Sequence, residues 1–150
     1  LTGLAEWRLK QNQSAVQSFR KASDVGGSEA AAARTAAMKN LASLYIQVRD
    51  YPQAQGILAS MSDSDVDVAL MKGVALVAQG QAAAAVQAYD SALSSQPGNM
   101  NLVFNKALAL AASGDYANAT TTMSRFVDST APIGSHVSRT LLREWKGKAK

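Results

Sequence analysis

VDVALMKGVALVAQGQAAAAVQAYDSALSSQPGN (66–99) is followed at once by MNLVFNKALALAASGDYANATTTMSRFVDSTAPI (100–133), and the two stretches carry one 34-residue pattern. Gly80 and Gly114 fall at the same place in the pattern, as do Ala85 and Ala119, Tyr89 and Met123, and Ala92 and Phe126. A period of this length is that of a helix-turn-helix unit stacked on its neighbour. Each stretch reads as two helices. A small residue lies in the first helix (Gly73, Ala107) and another in the second (Ala85, Ala119), which lets the backbones approach closely. Leu76 with Tyr89, and Leu110 with Met123 and Phe126, recur at spacings that fall on one helical face and fill the space around the small residues. Gly80 and Gly114 end the first helices, where the chain must turn left-handed, and Pro97 closes the second helix of its unit.

Before these two, an earlier unit occupies 35–65, with Leu41, Ala42 and Tyr45 in its first helix and Ala54, Leu58 and Met61 in its second. It is shortened. The deficit falls in Ser62-Asp63-Ser64-Asp65, where Ser64 or Asp65 can cap the helix that follows. A partial unit at 1–34 keeps Gly3, Ala15, Phe19 and Ala22; its five extra residues fall around Ser23 to Ala33, where Gly26 and Gly27 predict a loop and Ser28 a cap. Loop length is expected to absorb both irregularities. After Pro132, the segment 134–150 predicts one more amphipathic helix over 134–147, with Val137, Leu141, Leu142 and Trp145 on its apolar side. A repeat array needs such a cap, because its last unit otherwise leaves an apolar face in water.

With the Gly73, Leu76, Gly80, Ala85, Tyr89, Ala92, Pro97 series and the Gly114-Asp115-Tyr116-Ala117-Asn118-Ala119 run in view, the chain resembles the tetratricopeptide repeat family over residues 1–133. Departures are Ala69, Val103 and Met38 where the family often has tryptophan, Lys72 and Lys106 where leucine is usual, and Glu6 in place of a tyrosine-like residue. The resemblance implies an all-α fold in one domain, a right-handed α-α superhelix of antiparallel helix pairs with a C-terminal capping helix. It also implies that the first helices line an inner groove where partners bind. The inward positions are Leu4 and Trp7; Lys39, Asn40, Ser43 and Ile46; Asp67, Leu70, Val74 and Val77; and Asn101, Phe104, Asn105 and Leu108. Of these, Phe104 and Leu70 are expected to project furthest from the seam between helix pairs.

Some members of the family clamp an acidic C-terminus with lysine, arginine and asparagine. Here Lys39 and Asn105 match that pattern, but Met71 stands where asparagine is needed, and Asp67 and Asn101 stand where lysine is needed. A carboxylate in the groove repels an acidic peptide. An apolar groove flanked by Lys39, Asn40, Asn101 and Asn105 instead suits an amphipathic helix or an extended apolar peptide, with the amides fixing register. The expected function is that of an adaptor for a protein or peptide partner. The Ala, Gln, Ser and Thr-rich, lysine-poor texture is similar to repeat proteins of bacterial envelope, pilus-biogenesis and secretion assemblies, hence a lean towards the periplasm over the cytoplasm. The alternative is a regulatory or targeting repeat domain of a larger enzyme.

Composition narrows the rest. With 47% apolar residues in 150, the chain can bury a continuous core. The absence of cysteine removes disulfides, thiolate metal sites and thiol nucleophiles. No apolar run approaches the roughly 20 residues that cross a bilayer, so no direct membrane insertion is expected. Leu1 opens inside a helical pattern, which predicts an absent upstream segment; Leu1, Leu4 and Trp7 would pack on it or on another copy of the chain. His136 is the only histidine and has no carboxylate cluster beside it, so neither a metal site nor a catalytic triad has raw material, and neither a cofactor nor catalysis is expected. Asp63, Asp65 and Asp67 alternate like a calcium loop but lack its glycine and closing glutamate. Glycosylation triplets at Asn12 and Asn118 are of a kind common by chance. The net charge of +4 is local: residues 1–135 hold ten basic and ten acidic side chains, while 136–150 hold Arg139, Arg143, Lys146, Lys148 and Lys150 against Glu144 alone. A nucleic-acid stripe would run along the body among aromatics, so this reads as a solvated helix end with no nucleic-acid partner.

Overall fold

Helix-forming runs broken by residues that cap or turn the chain give eight helices among the described residues: α1 (Gly3–Val25), α2 (Ser28–Gln47), α3 (Tyr51–Leu58), α4 (Val66–Ala78), α5 (Ala82–Ser95), α6 (Met100–Ala112), α7 (Tyr116–Thr130) and α8 (His136–Lys148). There is no strand among the described residues. The computed structural model describes residues 2–25, 27–130 and 136–149, with side chains at 19, 20 and 22–25 excepted. The expectations for Leu1, Phe19, Ala22, Gly26 and Pro132 therefore lie outside the described residues. The chain forms two compact units, Leu1–Met61 and Ser62–Lys150.

In the second unit each helix packs on the next from α4 to α8, and α4 also meets α6. The 34-residue pattern is visible in its caps. Asp65 precedes α4 and its carboxylate accepts from the Asp67 and Val68 amides at 3.0 and 3.3 Å. Asn99, one period later, does the same before α6, accepting from Asn101 and Leu102 at 3.1 and 3.2 Å. Each cap satisfies amides that a helix start leaves without carbonyl partners. At the other end Gly80 (φ 77°) and Gly114 (φ 87°) turn left-handed, as the glycines led one to expect. The following amides of Gln81 and Asp115 then reach back to Leu76 and Leu110 at 2.8 and 2.9 Å, a closed C-terminal turn in both units.

The first unit repeats that turn with a different residue. Arg49, in the place held later by Gly80 and Gly114, has φ 61°, and the Asp50 amide reaches back to Tyr45 at 2.8 Å. A side chain in this region meets its own backbone, a cost of roughly 1–2 kcal/mol that glycine escapes. Arg49→Gly should therefore raise stability by about 0.5–1 kcal/mol once the greater freedom of unfolded glycine is offset. Urea unfolding of the two proteins measures it.

Two expectations need correction in this unit. The extra residues near 23–33 do not make a long loop. α1 runs to Val25 and α2 starts at Ser28, because Glu29 and the alanines at 30–33 are strong helix formers and lengthen α2 instead. Ser28 is the first helical residue and not the cap. That place belongs to Gly27 (φ 126°), and no side chain bonds the helix start. The core of the unit gathers Leu41, Tyr45 and Ala54, with Leu9 and Val16 of α1 against them. Gln13 of α1 donates to the Tyr45 hydroxyl at 2.6 Å, fastening α1 to α2.

The C-terminal helix covers its neighbour as a cap should. Trp145, 5% exposed, joins Met123, Ala119, Ala107 and Leu110 in one cluster, with Leu141 and Leu142 beside it. Val137 departs from expectation. It is 60% exposed, and Ser138 takes the fully buried place at the start of α8. His136 is the exposed first residue of the helix.

Candidate functional site: an apolar cleft between α4, α5 and α6

The cleft begins with a close approach. At Gly73 the phenol of Tyr89 lies where a side chain would be; a Cβ there would sit 2.0 Å from Tyr89 Cζ and Oη. Glycine in α4 thus allows a large ring on α5 to cross under it. Tyr89 is 1% exposed, and burial pushes its hydroxyl pKa from 10.0 up to about 12. The folded protein holds this proton more tightly than the unfolded chain does. The associated stability is therefore whole below pH 10 and lost as pH rises through about 12. Between pH 9.5 and 11.5 the wild type should lose more stability than Tyr89→Phe, as read from chemical denaturation at each pH.

Beside that ring opens a cleft of about 230 Å³, lined by Val74, Val77 and Ala78 of α4, Tyr89 of α5, and Asn105, Leu108 and Ala109 of α6. Val74 and Leu108 hold the same position in successive 34-residue units, so the stacking of one unit on the next is what brings them together. Val74 is the most exposed of the large apolar residues here, at 42%. Asn105 stands at the cleft with its amide nitrogen donating to the Asn101 carbonyl at 2.8 Å. That bond fixes the side chain and leaves its carbonyl oxygen as the acceptor a ligand can use.

The expected groove residues differ in their neighbours. Phe104 is half-buried; its ring lies 5.1 Å from that of Phe126 at a tilt of 51° and packs against the cluster that Trp145 completes. Leu70 packs on the core around Tyr89. Val74, Val77 and Leu108 line the opening, the latter two while also packing on the core beside it. Phe104 meets α7 through Phe126, whereas the cleft lies where α4 and α6 meet, beside the small residues Ala78 and Ala109. Asp67 and Asn101 are exposed at the first turns of α4 and α6. Tyr89, Ala78 and Ala109 were absent from the candidate residues. Tyr89 belongs to a second helix, and the two alanines carry no signal beyond being small.

In the first unit the candidate residues make a different surface. Asn40 and Ser43 line a cleft of about 310 Å³ with Arg8, Asn12, Leu44 and Gln47, whose lining mixes polar groups with the apolar stems of these side chains. Lys39 and Ile46 are half-buried. Leu4 and Trp7 are 60% and 57% exposed on α1, Trp7 in a shallow depression with Lys10, Gln11 and Ser14.

The two lysines that depart from the repeat pattern are explained by ion pairs. Lys72 reaches Asp63 at 2.5 Å and Lys106 reaches Asp90 at 2.6 Å, each side chain largely covered while its ammonium meets a carboxylate. Asp63 and Asp65 are thereby employed as ion-pair partner and helix cap. No group of three or more potential metal-ligating side chains occurs among the described residues. Nor is any described helix long and apolar enough to cross a membrane.

Comparison with known proteins bears on the second unit. No curated protein matches the chain. Residues 70–132, which run from α4 through α7 and contain the cleft, match the family model described as tetratricopeptide repeat, and this match supports assigning that stretch to the tetratricopeptide repeat family.

Proposed function

We propose that the chain is a protein-interaction scaffold whose cleft between α4, α5 and α6 receives the apolar side of an amphipathic helix or of an extended peptide. Repeats of this family generally mediate binding between proteins, and the observation that supports the finer reading is the pairing of Val74 with Leu108 at one opening. Two equivalent positions from stacked units offer apolar sites at a fixed spacing. Asn105 supplies an oriented carbonyl acceptor beside them, and an apolar floor with few polar groups gives affinity through burial and register through the amide. A place in a bacterial envelope, pilus or secretion assembly is proposed on composition alone.

The test is a comparison of wild type, Val74→Asp and Gln87→Asp on an array of amphipathic-helix peptides, followed by calorimetry on those that bind. Gln87 is exposed on α5 and outside the cleft. A charge at the opening should weaken binding at least tenfold, while Gln87→Asp leaves it within twofold. Equal binding by folded Val74→Asp would end the cleft proposal.

A further inference from the structure

Three of the five basic residues that carry the chain's excess, Arg139, Arg143 and Lys146, lie on one strip of α8. At 100° per residue, Arg139, Arg143 and Lys146 fall within a sector of about 60°. All three are exposed. The opposite side of the helix, Ser138, Leu141, Leu142 and Trp145, is turned into the protein. The only carboxylate of α8, Glu144, lies off the strip and is bound to Lys148 at 2.6 Å; Lys148 also stands 5.3 Å over the Tyr116 ring. Arg139, Arg143 and Lys146 have no ion-pair partner among the described residues.

Helix stability does not account for this row. Like charges three and four residues apart repel one another along a helix. Arg139 also sits in the early part of α8, where the helix dipole disfavours a cation, and the first turn has no acidic residue to offset it. Because Trp145 and its neighbours anchor the helix, the row is held in place and not on a free tail.

We propose that the strip formed by Arg139, Arg143 and Lys146 docks an acidic peptide segment, its carboxylates taken by the two guanidinium forks and the ammonium. The charge complementarity is linear: three cations over about 10 Å of helix match carboxylates along a single peptide better than they match a plane of headgroups. A lipid surface is further disfavoured because the apolar face of α8 is engaged in the core and cannot insert, and Val137, the exposed apolar residue of the helix, lies on another side. Single-stranded nucleic acid is disfavoured because no aromatic side chain accompanies the strip for bases to stack on.

Fluorescence anisotropy with a labelled octaglutamate peptide at low ionic strength tests the proposal, with oligothymidylate and vesicles containing anionic phosphatidylglycerol as parallel probes. The wild type should bind the peptide more tightly than either of the other two. Arg139→Glu/Arg143→Glu should weaken peptide binding at least tenfold, and the neutral Arg139→Gln/Arg143→Gln pair by severalfold. Lys10→Glu, an exposed site on α1, should change it less than twofold. Circular dichroism melting checks that each variant is folded. The proposal is overturned if the peptide does not bind, if Lys10→Glu weakens it as much as the α8 pair, or if the vesicles or the oligonucleotide take the strip in its place.

Discussion

Trp145→Ala is expected to remove about 3–5 kcal/mol from the stability of the second unit, the ordinary cost of deleting a large buried aromatic side chain. Trp145 is 5% exposed and shares a cluster with Met123 and Ala119 of α7 and with Ala107 and Leu110 of α6. Removing the indole leaves a cavity where α8 meets α6 and α7. The loss should appear in native-state hydrogen exchange as faster exchange of the α6 and α7 amides, and in light scattering as association that grows with concentration, since an uncovered repeat face seeks another surface. Lys146→Ala, one residue on and exposed, should change stability by less than about 0.5 kcal/mol. If Trp145→Ala costs under about 1 kcal/mol, α8 is not a cap.

Gly73→Ala is the second large effect, and its sign is the instructive part. In an exposed helix this change gains about 1 kcal/mol from propensity alone. Gly56 is such a case: it is exposed in α3 and a Cβ there meets nothing within 4 Å, so Gly56→Ala should stabilise. At Gly73 the new methyl would fall 2.0 Å from the Tyr89 ring, and Tyr89 is too buried to step aside. Overpacking of this kind costs about 1–3 kcal/mol, so Gly73→Ala should destabilise. The next repeat shows the remedy. There Ala107 and Met123 hold the equivalent positions in one cluster, a slightly larger residue facing a narrower, more pliable one. Gly73→Ala with Tyr89→Met should therefore be more stable than the sum of the single changes by about 1–3 kcal/mol in a double-mutant cycle. Additivity in that cycle would mean that the two residues do not meet.

That pair also shows what sequence could and could not disclose. The 34-residue spacing of glycines, alanines and large apolar residues identifies helix pairs because every unit must solve the same packing problem, and the small-against-large pattern at Gly73 and Tyr89 is the local solution. The caps at Asp65 and the turns at Gly80 and Gly114 are legible for the same reason: they serve backbone groups, whose needs are fixed by helix geometry alone. Arg49 was not legible as a left-handed turn, since the tertiary structure imposes that conformation on a residue that does not favour it. The break at the glycine pair before α2 was legible, but the cap falls on Gly27 and not Ser28, and the extra residues lengthen the helix through its alanines instead of the loop. The cleft was only partly legible. Periodicity places Val74, Val77, Leu108, Phe104 and Leu70 on inward helices, but whether each fills a seam or faces an opening depends on which neighbour arrives, and Phe126 claims Phe104 from a helix away. Lys72 and Lys106 look like defects in the pattern until Asp63 and Asp90 are seen at their tips.

The central claim is that the helices of the second unit stand in file, each covering the next, with the cleft formed where α4 and α6 meet beside Tyr89. Nuclear Overhauser measurements on methyl- and aromatic-labelled protein address it directly. Strong cross-peaks are expected between the Gly73 α-protons and the Tyr89 ring, between the Phe104 and Phe126 rings, between Met123 and Trp145, and between Val74 and Leu108. Extensive cross-peaks between α4 and α8 in their place, as helices closed round one centre would give, would contradict it.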